Sequence, residues 1–208
     1  SLSSILIIFV LKLNTNGNYL WSKRIGGTQD EFLFDGKMDK NGNLILSGNF
    51  TGTCDFDPGS GFYHLSSINE SSDIFILKLN NSGNFSWARD IGGKDDATAF
   101  AVTTDNNNDI YMTGAFYGTL DFDPGPAYYE FTAVGNKYDA FITKFDNNGN
   151  FQGAGHLSGS GYEDSYTVIT DQNNDVYVAG TFSEEMDIDP GPGYYPVLSL
   201  GYEDIFIV

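Results

Sequence analysis

Apolar and polar positions along this chain fall into short runs, without the stripe of a helix. Ile8-Phe9-Val10-Leu11-Lys12-Leu13, Ile74-Phe75-Ile76-Leu77-Lys78-Leu79 and Ala140-Phe141-Ile142-Thr143-Lys144-Phe145 are rich in β-branched and aromatic residues. Asn, Gly and Asp bound these runs, the signature of strands joined by hairpins. Around residues 100–156 the pattern predicts four strands. They are Phe100 to Thr104, Asp109 to Phe116, Ala140 to Phe145, and a last one from Asn150 onward. Asn148-Gly149 is a two-residue turn whose members both tolerate positive φ. Between the second and third strands a long excursion carries Asp121-Phe122-Asp123-Pro124-Gly125 and the aromatic segment Tyr128-Tyr129-Glu130-Phe131. The third strand is apolar at nearly every position, which predicts a sheet covered on both faces.

The pattern repeats. Thr-x-Asp-(Phe/Ile)-Asp-Pro-Gly occurs at Thr53–Gly59 and Thr119–Gly125, and again at Glu185–Gly191 with Glu185 in place of Thr. Asp55, Asp121 and Asp187 are 66 residues apart, as are Gly48, Gly114 and Gly180. Asp73 and Asp139 are followed by Asp204, because the last copy is one residue short. The predicted units are 7–72, 73–138 and 139–203, with a fourth starting at 204–208. Four strands per repeat, wedged between like neighbours, predict an all-β fold of tandem four-stranded blades of a β-propeller. About three units fall short of the usual closed ring of four to eight blades. The expectation is therefore an arc of a longer propeller, completed by further blades or by self-association through exposed edges. Residues 8 to 13 are expected to be the first copy of a repeated strand, not part of a cleavable leader.

Composition narrows the function classes. The 208 residues carry 10 Lys+Arg against 28 Asp+Glu, a net charge of −18. Such acidity argues against nucleic acid and against docking on anionic lipid. The longest apolar run, Ile5 to Leu11, is too short to cross a bilayer, so no membrane insertion is expected. One cysteine rules out a disulfide framework within the chain.

The motifs Asp-x-x-(Gly/Asn)-(Asn/Asp)-(Leu/Ile/Val)-(Tyr/Ile)-x-x-Gly and Asp-(Ile/Ala)-Phe-Ile-x-Lys, with the Ser-Gly-Asn-Phe-x-Trp-Ala turn leading to Ile-Gly-Gly, resemble the β-propeller repeat family called SBBP. The Asp-Phe-Asp-Pro-Gly segment is similar to repeats in large proteins exported by the type IX route of Gram-negative bacteria. The resemblance covers essentially the whole chain. It implies an extracellular or cell-surface scaffold and says little of activity, since propellers host many functions. The third copy departs from the pattern: Trp21 and Trp87 become Gly153, and Gly52 and Gly118 become Glu184.

Candidate chemistry centres on paired aspartates. In an extended segment residues i and i+2 face the same way, so Asp55 with Asp57, Asp121 with Asp123, and Asp187 with Asp189 can each present two carboxylates to one point. Such pairs suit Ca2+, which takes six to eight oxygens. Asp-Pro-Gly is equally a turn signal in its own right, and both readings stand at this point. The loops Asp39-x-Asn41-x-Asn43, Asp105-x-Asn107-x-Asp109 and Asp171-x-Asn173-x-Asp175 open like a calcium loop. They lack the Gly at position six and the Glu at position twelve, and read as solvated turns.

Cys54 aligns with Leu120 and Met186, which marks a packing position. His64 and His156 do not recur. Lys12, Lys78 and Lys144 recur near Asp73, Asp139 and Asp204, as a charge ring or as ion pairs. Three functions are consistent with these residues. The first is a non-catalytic adhesion scaffold binding protein or glycan at a cell surface. The second is a glycan-binding module using Tyr128, Tyr129, Tyr194 and Tyr195. The third is a polysaccharide hydrolase or lyase using singletons such as Glu130, Glu163 and His64. No catalytic residue is assigned.

Overall fold

The computed structural model describes residues 5–208. Its described residues form antiparallel sheets and one short 3-10 turn, Ile68–Glu70. No helix among them is long and apolar enough to cross a membrane. The chain opens with β1 (Ile8–Leu13) and β2 (Tyr19–Gly27), which pair with each other. Next come β3 (Glu31–Met38) and β4 (Leu44–Phe50), the short hairpin β5 (Thr53–Asp55) and β6 (His64–Ser66), then β7 (Asp73–Leu79) and β8 (Phe85–Gly93). The cycle repeats with β9 (Ala97–Thr104), β10 (Ile110–Phe116), the hairpin β11 (Thr119–Asp121) and β12 (Glu130–Thr132), β13 (Asp139–Phe145) and β14 (Phe151–Leu157). It runs a third time through β15 (Glu163–Thr170), β16 (Val176–Phe182), the hairpin β17 (Glu185–Asp187) and β18 (Pro196–Leu198), and β19 (Asp204–Ile207).

Sheet order makes each cycle a blade. β3, β4, β7 and β8 lie side by side, as do β9, β10, β13 and β14; β15, β16 and β19 form the same arrangement with three strands. The inner strands β3, β9 and β15 are neighbours from blade to blade. A blade thus starts inside one unit of the sequence count from residue 7 and ends inside the next. Every residue of β7 is buried, in keeping with its largely apolar sequence, and Asp73 and Lys78 are buried with it.

The excursion is a strap. Each short hairpin leaves its own blade and pairs with the outer strand of the blade before it. β5 pairs with β2 (Gly26↔Asp55, Gly27↔Cys54), and β11 pairs with β8 (Leu120↔Gly93, Asp121↔Gly92). The third strap bridges Met186 to Gly159 beside β14. The Phe of Asp-Phe-Asp-Pro-Gly plugs the seam beneath. Phe56 and Phe122 are fully buried, and Phe122 packs on Phe116 and Phe141 with ring centroids 5.4 and 5.1 Å apart. Burying a Phe contributes roughly 1.5–3 kcal/mol, so straps and plugs together bind successive blades.

Candidate functional site

The paired aspartates sit at the strap turns and hold the backbone there. Oδ1 of Asp121 accepts from the amides of Asp123 (3.1 Å) and Tyr129 (2.8 Å), and Oδ1 of Asp123 from that of Gly125 (2.8 Å). Asp55 with Asp57, and Asp187 with Asp189, repeat these bonds. One oxygen of each carboxylate is therefore taken up by the turn. Among the described residues no group of three His, Cys, Asp or Glu converges on a point that a metal could occupy. Asp39, Asp105 and Asp171 cap their own hairpins in the same manner. Lys78 does not meet the Asp73 series; its ammonium lies 3.0 Å from buried Asp39, and that of Lys144 lies 2.8 Å from Asp109. Cys54 is buried, and burial raises its thiol pKa, which fits packing.

Sequence singletons meet at the seam between the second and third blades. His156 Nε2 lies 2.7 Å from Asp139 Oδ2, whose other oxygen is buried without a hydrogen-bond partner. Glu163 is fully buried with neither oxygen bonded. Burial, then the nearby Asp139 charge, push its carboxyl up to about 8, with Lys137 opposing. At the seam before, the equivalent positions are Asp73, Asp90 and Ala97, and Asp73 is pushed up to about 6, chiefly by burial. At the first they are Ile7, Arg24 and Glu31, and burial pushes Glu31 up to about 7. Glu130 and His64 lie exposed on straps, apart from this cluster.

A more open feature lines the inner strands. Each has a β-bulge in the same place: Leu33↔Gly48 is followed by Asp35↔Ser47, Ala99↔Gly114 by Ala101↔Thr113, and Ser165↔Gly180 by Thr167↔Ala179. The extra residue is aromatic every time: Phe34, Phe100, Tyr166. Opposite stands the repeating glycine. A Cβ on Gly48, Gly114 or Gly180 would lie 1.9 Å from a carbonyl oxygen of the bulged strand. A bulge re-aims a side chain, and here it aims all three rings along one inner edge. Phe34 and Phe100 have centroids 5.7 Å apart, Phe100 and Tyr166 5.3 Å. Phe34 and Tyr166 remain about half exposed. The Tyr166 hydroxyl faces Asp164 and Thr181, and Asp164 also lines an open groove of about 650 Å³.

The aromatic row escaped the motif reading, although its recurrence at 66 residues was available, because a bulge residue looks like any other strand position. The strap tips form a second, outer series of exposed rings: Phe62 is 79% exposed, Tyr128 82% and Tyr194 65%.

No family model matches the chain. It is 31% identical over 129 residues to an uncharacterized WD repeat-containing protein, L264, of Acanthamoeba polyphaga mimivirus. The match takes in 55% of this chain and 9% of that protein, so the chain spans a small part of its relative's length. WD repeats are four-stranded propeller blades, and the order of sheets described above is consistent with them. Fold and likeness together give an all-β chain of propeller-type repeats, an architecture of scaffolds and interaction modules.

Proposed function

We propose that the chain is a non-catalytic scaffold segment that holds a partner on the inner edge of its blades, outside the cell or at its surface. The observation that supports it best is the row Phe34, Phe100 and Tyr166. Three separate bulges, each with a glycine opposite, set three rings in contact and leave them partly open to solvent. Contiguous exposed rings of this kind mark interaction surfaces, whereas isolated ones carry no such meaning. The cell-surface setting rests on the resemblance to SBBP repeats and to exported proteins bearing Asp-Phe-Asp-Pro-Gly segments.

The test is affinity capture from cell-surface protein and glycan preparations, comparing the parent with Phe100→Ala, alongside turnover assays on polysaccharides. The reading expects a ligand held by the parent and lost by the variant, without turnover. Equal capture by both, or hydrolysis or elimination of a polysaccharide, contradicts it.

A further inference from the structure

The last ring of the aromatic row, Tyr166, faces Asp164, which lines an acidic groove, and the two together point to one kind of partner. The groove is lined by Tyr162, Asp164, Ser183, Glu184, Tyr202 and Glu203, with Lys137 at its side. Three carboxylates face one ammonium, which is already paired with Glu184 at 3.0 Å and stacked over the Tyr162 ring. Glu203 accepts from the Thr181 hydroxyl at 3.0 Å and keeps its second oxygen for a ligand. Asp164 shares β15 with Tyr166, so carboxylate and row ring are joined through one strand.

We infer that the row and groove form a docking strip for an extended, arginine-bearing peptide segment. This rests on the scaffold reading above and names its partner. A guanidinium is planar, charged at every physiological pH and carries five donors in a fixed fork; it stacks on an aromatic face while donating to carboxylates. Three rings with neighbouring centroids 5.7 and 5.3 Å apart form a continuous apolar track along which an extended segment can lie. The chain's net charge of −18 favours a cationic partner over an acidic one. Burial and the Glu203 charge hold the Asp164 carboxyl above its ordinary range, against the Tyr166 hydroxyl, and an incoming guanidinium supplies the opposite charge that favours its ionised form.

The experiment is calorimetric titration of the chain with a capped Gly-Arg-Gly-Arg-Gly peptide. Its lysine and glutamate counterparts and a neutral cello-oligosaccharide are run in parallel. Saturable binding of the arginine peptide is expected, with the lysine peptide weaker by about fivefold and no binding of the glutamate peptide. Phe100→Ala and Tyr166→Ala change no charge and are expected to weaken binding about tenfold. Phe100→Leu and Tyr166→Leu keep apolar bulk, guard against a folding artefact and should weaken it similarly. Glu203→Gln should weaken it several-fold, whereas Tyr128→Ala, on a strap, should leave it unchanged.

Arginine-peptide binding that ignores Phe100 and Tyr166 overturns the inference, since it would be charge attraction alone. Absence of saturable binding overturns it too. Binding of the oligosaccharide, lost in Phe100→Ala, overturns the arginine assignment yet leaves the scaffold reading standing. Capture of a surface ligand that is indifferent to Phe100 removes both.

Discussion

Glu163 offers the sharpest test of how the blades are joined. Its carboxyl is fully buried at the seam between the second and third blades, with no hydrogen-bond partner. It faces Asp139, paired with His156, and feels Lys137, Asp164 and Glu184. Its pKa is about 8 in the folded chain against an ordinary 4.5, so the native state keeps the proton where the unfolded chain releases it. Below 4.5 both states are protonated, and the group has no pH-dependent effect. Between 4.5 and about 8 stability falls by roughly 1.4 kcal/mol per pH unit on account of this group, and above that it levels off. The total is on the order of 5 kcal/mol. Glu163→Gln keeps the shape and removes the ionisation.

Urea unfolding at constant ionic strength, from pH 5 to 9, measures the difference between variant and parent. Taking that difference cancels the general self-repulsion of an acidic chain. The variant should match the parent to within about 1 kcal/mol at pH 5 and exceed it by several kcal/mol at pH 8.5. Parallel curves, or a parent more stable than the variant at high pH, would refute the picture of a carboxyl buried without a counterion.

Other substitutions probe the straps and bulges. Asp121→Ala should lose roughly 1–2 kcal/mol with its two amide bonds, while Asp121→Asn, which still accepts both, should lose little. If the pair instead works by holding calcium, Asn and Ala will be equally damaging, and the parent's melting temperature will rise on calcium addition. Phe122→Ala empties the seam beneath the second strap and should cost about 3–5 kcal/mol in urea unfolding. Gly114→Ala drives a Cβ to within 1.9 Å of the Thr98 carbonyl oxygen, so it should destabilise more than Ala115→Gly, its neighbour, in the same assay.

How much of this was legible in the chain differs from element to element. The strands and their repeat were plain, because β-branched runs bounded by Asn-Gly turns are local signals and recur at a fixed spacing. The nearly continuous apolar sequence of Ile74–Leu79, interrupted only by Lys78, foretold that β7 would be covered on both faces, as it is. The strap was not legible. Its pairing with the preceding blade is non-local and rests on Gly92-Gly93 accepting a strand beside them, which no residue type announces. The inner row was half written. Gly48, Gly114 and Gly180 recur visibly, but their need comes from a carbonyl across the sheet, and the aromatic opposite is revealed only by the register slip. The seam cluster was hidden for another reason. Glu31, Ala97 and Glu163 occupy one structural position without sharing a chemistry, so a search for recurrence passes over them.

Architecture and candidate site meet in the row of rings, which forms only if consecutive inner strands lie side by side and every bulge turns the same way. Two-dimensional NOE spectroscopy on chain labelled at Phe and Tyr reads it directly. Cross-peaks are predicted from the Phe100 ring to both the Phe34 and the Tyr166 rings, residues 66 positions away in either direction. A Phe100 ring that shows neither, in a chain that is otherwise folded, contradicts the account.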